Sequence, residues 1–79
     1  SISIGEKELK GKMTVIDLIV LSKLENSKSE IRRLIKGNGI RINNQVIVDE
    51  KLIVTKDLFQ DNLIKLSLGK KRHFKVQFN

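Results

Sequence analysis

The spacing of apolar residues along this chain changes once, at Gly37-Asn38-Gly39. Before that point Val15, Leu18, Ile19 and Ser22, and then Ile31, Leu34 and Ile35, recur at helical intervals. After it Ile40-Arg41-Ile42, Val46-Ile47-Val48, Asn62 to Leu68 and His73 to Phe78 follow a period of two. A helical stripe does not stay on one side of a strand, and an alternating pattern does not stay on one side of a helix. The change therefore predicts two short packed helices, a helix-turn-helix, followed by a small antiparallel sheet, an α+β fold. With 79 residues there is room for one domain, and 39% hydrophobic residues suffice for its core.

Local signals mark the ends of these elements. Thr14 is placed to cap the first helix, with Asp17 in its first turn facing the positive end of the helix dipole. Glu25-Asn26 breaks the chain, and Ser27 with Glu30 three residues on reads as a capping box. Gly37 supplies a left-handed residue to end the second helix. Asn44-Gln45 reads as a tight hairpin, Asn44 tolerating positive φ. Leu52, Val54, Leu58 and Phe59 cover an edge of the core, and the three Phe lie at apolar positions that fill it. Gly69-Lys70-Lys71-Arg72 makes a basic turn before the last strand, where His73 reads as half-buried. At the other end Ser1-Ile2-Ser3-Ile4 reads as a short strand, and Gly5 to Lys12 as a linker or loop.

Composition removes several classes of function. There is no Cys, hence no disulfide, thiolate nucleophile or Cys-ligated zinc. A single His excludes His-cluster metal sites and disfavours Ser-His-Asp chemistry. The acidic residues show no pairing that suggests acid–base catalysis. No apolar run approaches the roughly 20 residues of a membrane span, and no signal-peptide pattern opens the chain. The expectation is an intracellular, non-membrane, monomeric domain without catalysis or cofactor of its own. Sixteen Lys and Arg against nine Asp and Glu leave +7, a surplus that attracts polyanions.

Helical positions advance ~100° each. With Ile31, Leu34 and Ile35 inward, Lys28, Arg32 and Lys36 share one flank and Arg33 points away from the core. Arg41 leaves its strand opposite Ile40 and Ile42, so the helix, the Gly37-Asn38-Gly39 turn and Arg41 are expected to form one patch. Arg33 is also placed to pair with Glu30 or Asp49, Asn43 is an RNA contact or only a turn former, and Lys70, Lys71 and Arg72 form a separate basic loop. A solvated helix face fits the same pattern. With no Trp or Tyr, a base-stacking platform is disfavoured, and phosphate and shape recognition of folded RNA or a duplex fits better.

Ser27-Lys28-Ser29-Glu30-Ile31-Arg32-Arg33-Leu34-Ile35-Lys36-Gly37-Asn38-Gly39-Ile40-Arg41-Ile42-Asn43-Asn44 resembles the central motif of the RNA-binding domain named after small-subunit ribosomal protein four. Ile2-Ser3-Ile4 with Glu8-Leu9, the Thr14–Leu24 helix and Gly69-Lys70-Lys71-Arg72-His73-Phe74 are similar to the C-terminal domain of bacterial-type tyrosyl-tRNA synthetases. Asn44 stands where that family usually has Gly, and Val46 where it often has Lys. The resemblance implies a ribosomal-protein-four-like fold. Residues 1–13 would lead from a missing catalytic part, and residues 14–79 would form a single RNA-binding domain. It implies a grip on the variable arm and anticodon stem of tRNA(Tyr), with Lys28, Arg32, Arg33, Lys36, Arg41, Asn43, Lys70, Lys71 and Arg72 as candidate contacts.

The implied parent is a class I tyrosine–tRNA ligase, a cytoplasmic or organellar homodimer using ATP and tyrosine, of which this chain is a non-catalytic fragment. Two other readings stay open: the equivalent domain of a ribosomal RNA pseudouridine synthase or ribosome-associated heat-shock protein, and a protein-interaction module for an acidic partner.

Overall fold

Thr14 and Ser27 set the two main helices, each side-chain oxygen accepting from the backbone N–H three residues on (Asp17 at 3.2 Å, Glu30 at 3.3 Å). In the computed structural model, which describes residues 2–79, the elements are β1 (Ile2–Ile4), α1 (Glu6–Lys10), α2 (Val15–Ser22), α3 (Lys28–Lys36), β2 (Ile40–Ile42), β3 (Gln45–Val46), a 3₁₀ turn (Lys56–Leu58), β4 (Leu63–Leu68) and β5 (Arg72–Phe78). The Ser1 part of the expected first strand lies outside the described residues. The fold is α+β, as the change of period predicts.

The sheet is mixed rather than purely antiparallel. Its order is β1-β5-β4-β2-β3, and β1 runs parallel to β5 while the other neighbours are antiparallel. Alternation fixes which side chains face the core but not the direction of a three-residue edge strand. Ile40, Ile42, Ile64, Leu66, Leu68 and Val76 point to one face of the sheet and are buried there against Val15, Leu18 and Ile19 of α2 and Ile31 and Ile35 of α3. Each such side chain contributes about 1.5–3 kcal/mol relative to exposure. Ile4 joins the same core.

Several local expectations are corrected. Glu6–Lys10 is a helix and not a linker: the Glu8 carboxylate accepts from the Gly5 N–H at 2.8 Å, and Leu9 packs on the core. The capping box at Ser27 is half formed, because Glu25 takes the Ser27 N–H at 3.1 Å and Glu30 turns to Arg33. Gly37 has φ −89°, and the left-handed residue is Asn38 at φ 60°. The glycine that matters is Gly39, whose N–H reaches the Leu34 carbonyl at 2.7 Å; a Cβ there would stand 3.3 Å from that oxygen and from Leu34 Cδ2.

The hairpin turn is Asn43-Asn44, one residue earlier than expected. Both have positive φ (53° and 69°), which gives the type I′ twist that a two-residue hairpin requires. The three Phe are half-buried rather than inside the core: Phe59 and Phe74 pack against it, and Phe78 meets Phe59 at a tilted 5.3 Å centroid distance. Val54 is buried, while Leu52, Leu58 and Phe59 pack around the core edge as expected.

Candidate nucleic-acid interface

Burial of Ile31 and Ile35 orients α3 and leaves Lys28, Arg32 and Lys36 exposed on one flank. Arg33 points to solvent and holds Glu30 at 3.0 Å, one of the two pairings its position offered. Arg32 Nε stands 3.6 Å from Glu50 Oε2. A groove of about 260 Å³ beside them is lined by Lys28, Arg32 and Lys51, but also by Asp17 and Glu50. The flank is cationic with acidic groups set into it, and its exposed ion pairs are each worth about 0–1 kcal/mol.

Arg41 shares a groove with the Gly37-Asn38-Gly39 turn at the end of α3, but it stands on another face from Lys28 and Arg32. Strand alternation sends it to the face of the sheet turned away from the helices, where it stands opposite Ser67 on β4 and Val46 on β3. Ser67 in turn stands opposite His73 on β5, with Ser67 Oγ and His73 Nδ1 3.2 Å apart. His73 is exposed, not half-buried, because Phe74 and not His73 takes the core side. Two residues along, Lys65 and Lys75 face each other across β4 and β5.

Two grooves run over this face. One, of about 390 Å³, lies over Lys65, Ser67, His73 and Lys75; the other, of about 550 Å³, reaches Asn38, Arg41 and Lys70. They share Asn44, Ser67 and His73, and neither is lined by a carboxylate. Lys65, Lys75, Ser67 and Asn44 were not singled out as site residues from the sequence. Their signal is the polar half of the alternation in Leu63–Leu68 and Arg72–Phe78, but which residues meet depends on strand register.

The remaining candidates divide by orientation. Lys70 and Lys71 are exposed at the β4–β5 turn. Arg72 belongs to β5 and not to that turn; it lies on the helix side and binds the Leu24 carbonyl and Glu25. Asn43 Nδ2 donates to the Leu58 carbonyl at 2.7 Å and Asn43 Oδ1 accepts from the Lys65 N–H at 2.9 Å, so its amide is engaged with backbone. The Ser27 N–H, with Arg72 second, holds the Glu25 carboxyl below the ordinary carboxylate range. The Gly5 N–H does the same for Glu8. Among the described residues, Lys28, Lys36, Arg41, Lys65, Lys70, Lys71 and Lys75 form no ion pair.

A family model described as the tyrosine–tRNA ligase SYY-like C-terminal domain matches residues 3–76. The chain is 64% identical over 74 residues to a tyrosine–tRNA ligase of Pelagibacter ubique (strain HTCC1062), covering 94% of this chain and 18% of that protein. It is 42% identical over 78 residues to one of Bartonella quintana (strain Toulouse) and 40% identical over 78 residues to one of Rickettsia massiliae (strain Mtu5). Each of these alignments covers 98% of this chain and 19% of the relative. The chain thus spans about a fifth of the length of these relatives.

Proposed function

Because this chain belongs to the tyrosine–tRNA ligase SYY-like C-terminal domain family, we propose that it is the tRNA-binding module of a tyrosine–tRNA ligase. Its work is electrostatic positioning. Cations on α3 and around the hairpin contact backbone phosphates, and the shape of the variable arm and anticodon stem selects tRNA(Tyr). The acceptor end is thereby presented to a catalytic part elsewhere in the chain of the ligase. That part binds ATP and tyrosine and performs the aminoacylation; this domain takes no chemical step. The parent acts as a cytoplasmic homodimer.

The observation that supports this reading most directly is that Lys28, Lys36 and Arg41 are exposed without a carboxylate partner among the described residues. The family favours the ligase over a pseudouridine synthase. Titration of the labelled chain with tRNA(Tyr), against a tRNA lacking the long variable arm, tests it by NMR. The expected shifts centre on Lys28, Arg32, Lys36 and Arg41 and are stronger for tRNA(Tyr). Arg32→Ala with Lys36→Ala weakens binding without unfolding. Roughly four to six phosphate contacts give a log–log salt slope of about −3 to −5. A flat salt response, or equal shifts with both RNAs, overturns respectively the phosphate grip or the tRNA selectivity.

A further inference from the structure

Lys65 and Lys75 occupy directly opposed positions in the antiparallel β4–β5 pair. Like charges so placed destabilise a sheet, and among the described residues no carboxylate pairs with either lysine. An anion laid across this pair would turn the repulsion into attraction. The surroundings extend the same electrostatic pattern. Arg41 lies in the neighbouring cross-strand row with Ser67 and His73, about 6.8 Å along the strands, and adjacent strands are about 4.8 Å apart. The two connected grooves over this face contain no Asp or Glu, whereas the groove beside α3 contains both Asp17 and Glu50.

We infer that the open face of the sheet, from Asn38 and Lys70 at one end to Lys65 and Lys75 at the other, carries the RNA contact on beyond Arg41 as a second surface for the sugar–phosphate backbone, on a different face from Lys28 and Arg32 of α3. This rests on the tRNA-binding reading and adds a site to it. The chemistry of the face selects backbone rather than bases. Phe74 and Phe78 alternate to the helix side of β5, Phe74 bordering the groove over Lys65 and Lys75. The only ring that stands out on this face among the described residues is therefore His73, which is too little for a base-stacking platform. What the face presents instead is lysine and arginine charge, with Asn44, Ser67 and Asn38 as hydrogen-bonding groups. Those groups suit phosphate oxygens and ribose hydroxyls. Contacts of this kind fix orientation without reading sequence. Together with the α3 flank they would hold one RNA body at two places, which restricts its rotation more than either surface alone.

Lys65→Gln with Lys75→Gln, in the 79-residue chain, tests the inference against tRNA(Tyr) transcript by fluorescence anisotropy over a salt series. The expected result is an affinity loss of about tenfold at low salt and a salt slope reduced by about two. The Tm of the free chain should rise, because a repulsion has been removed. The loss should multiply with that of Arg32→Ala/Lys36→Ala. If the double variant does not fold, Lys75→Gln alone carries the test with a slope change of about one.

Wild-type affinity and slope in a folded Lys65/Lys75 variant, with Arg32→Ala/Lys36→Ala still weakening binding, overturns the second surface and leaves the proposed function standing. No effect from either pair overturns both. Tighter binding of polyglutamate than of tRNA at matched ionic strength, lost in the Lys65/Lys75 variant, overturns the RNA assignment in favour of an acidic polypeptide.

Discussion

Arg72 donates from Nη1 to the carbonyl oxygen of Leu24 at 3.0 Å, tying the first residue of β5 to the chain leaving α2, 48 residues earlier. The tie closes a weak corner. α2 ends at Ser22, Lys23 turns left-handed at φ 65°, and Ser22 Oγ takes the Leu24 N–H at 3.2 Å. The Leu24 carbonyl has left the helical ladder and is given a charged donor by the sheet. Arg72 is thereby directed towards the helices and away from the Lys70-Lys71 tip.

Arg72→Gln should therefore act on stability first. Losing one charge-assisted hydrogen bond to an exposed carbonyl is expected to cost about 1 kcal/mol, which lowers Tm by roughly 4–8 °C in a chain of this size. Thermal melts followed by circular dichroism measure this. An unchanged Tm would mean that the tie holds nothing together.

Asn43 gives the second prediction. Its backbone sits at φ 53° in the hairpin turn, and its amide joins the Leu58 carbonyl to the Lys65 N–H. One side chain thus connects the β2–β3 turn, the 3₁₀ turn and β4. Asn43→Ala removes both hydrogen bonds and puts a residue with no local compensation in the left-handed region. The expected loss is about 2–3 kcal/mol by urea denaturation. Asn43→Asp keeps the acceptor for the Lys65 N–H but sets a carboxylate oxygen against the Leu58 carbonyl. The comparison is therefore made at a pH low enough to protonate Asp, where its O–H can donate to Leu58 and its stability should fall between Ala and wild type. Equal stability of the Asp and Ala variants would contradict the two-bond account.

These two residues also mark what the sequence does and does not make legible. The fold class follows from the switch in apolar period at Gly37-Asn38-Gly39, and the helix starts from Thr14 and Ser27, because those signals are local. Arg72 and Asn43 find partners 48 and 15 residues away, and no spacing rule reaches so far. The helix Glu6–Lys10 was hidden by flanking Gly5 and Gly11, which read as punctuation, although the Glu8 side chain caps it within one turn. For the site, helical spacing located the flank of Lys28, Arg32 and Lys36. Arg41 shares a groove with the Gly37-Asn38-Gly39 turn that follows α3, as expected, but its side chain stands on the open face of the sheet beside Ser67, a placement set by the strands and not by helical spacing. The opposition of Lys65 to Lys75 depends on register, which alternation alone leaves open.

Glu25 makes stability depend on pH in a stated direction. The Ser27 N–H at 3.1 Å, and after it Arg72 at 3.5 Å, stabilise the charged carboxylate and hold its pKa in the folded chain below the ordinary 4.5. The folded state therefore binds fewer protons here than the unfolded state. The contribution is fully present above the ordinary value and is lost as pH falls through the lower, folded one. The Tm difference between wild type and Glu25→Gln should be constant from pH 7 to about 5 and shrink below pH 4.5. Because the Ser27 N–H is the larger cause, the same pH dependence should survive in Arg72→Gln at reduced amplitude. A Tm difference that stays flat down to pH 3 would show that the Ser27 N–H does not hold the Glu25 carboxylate in solution.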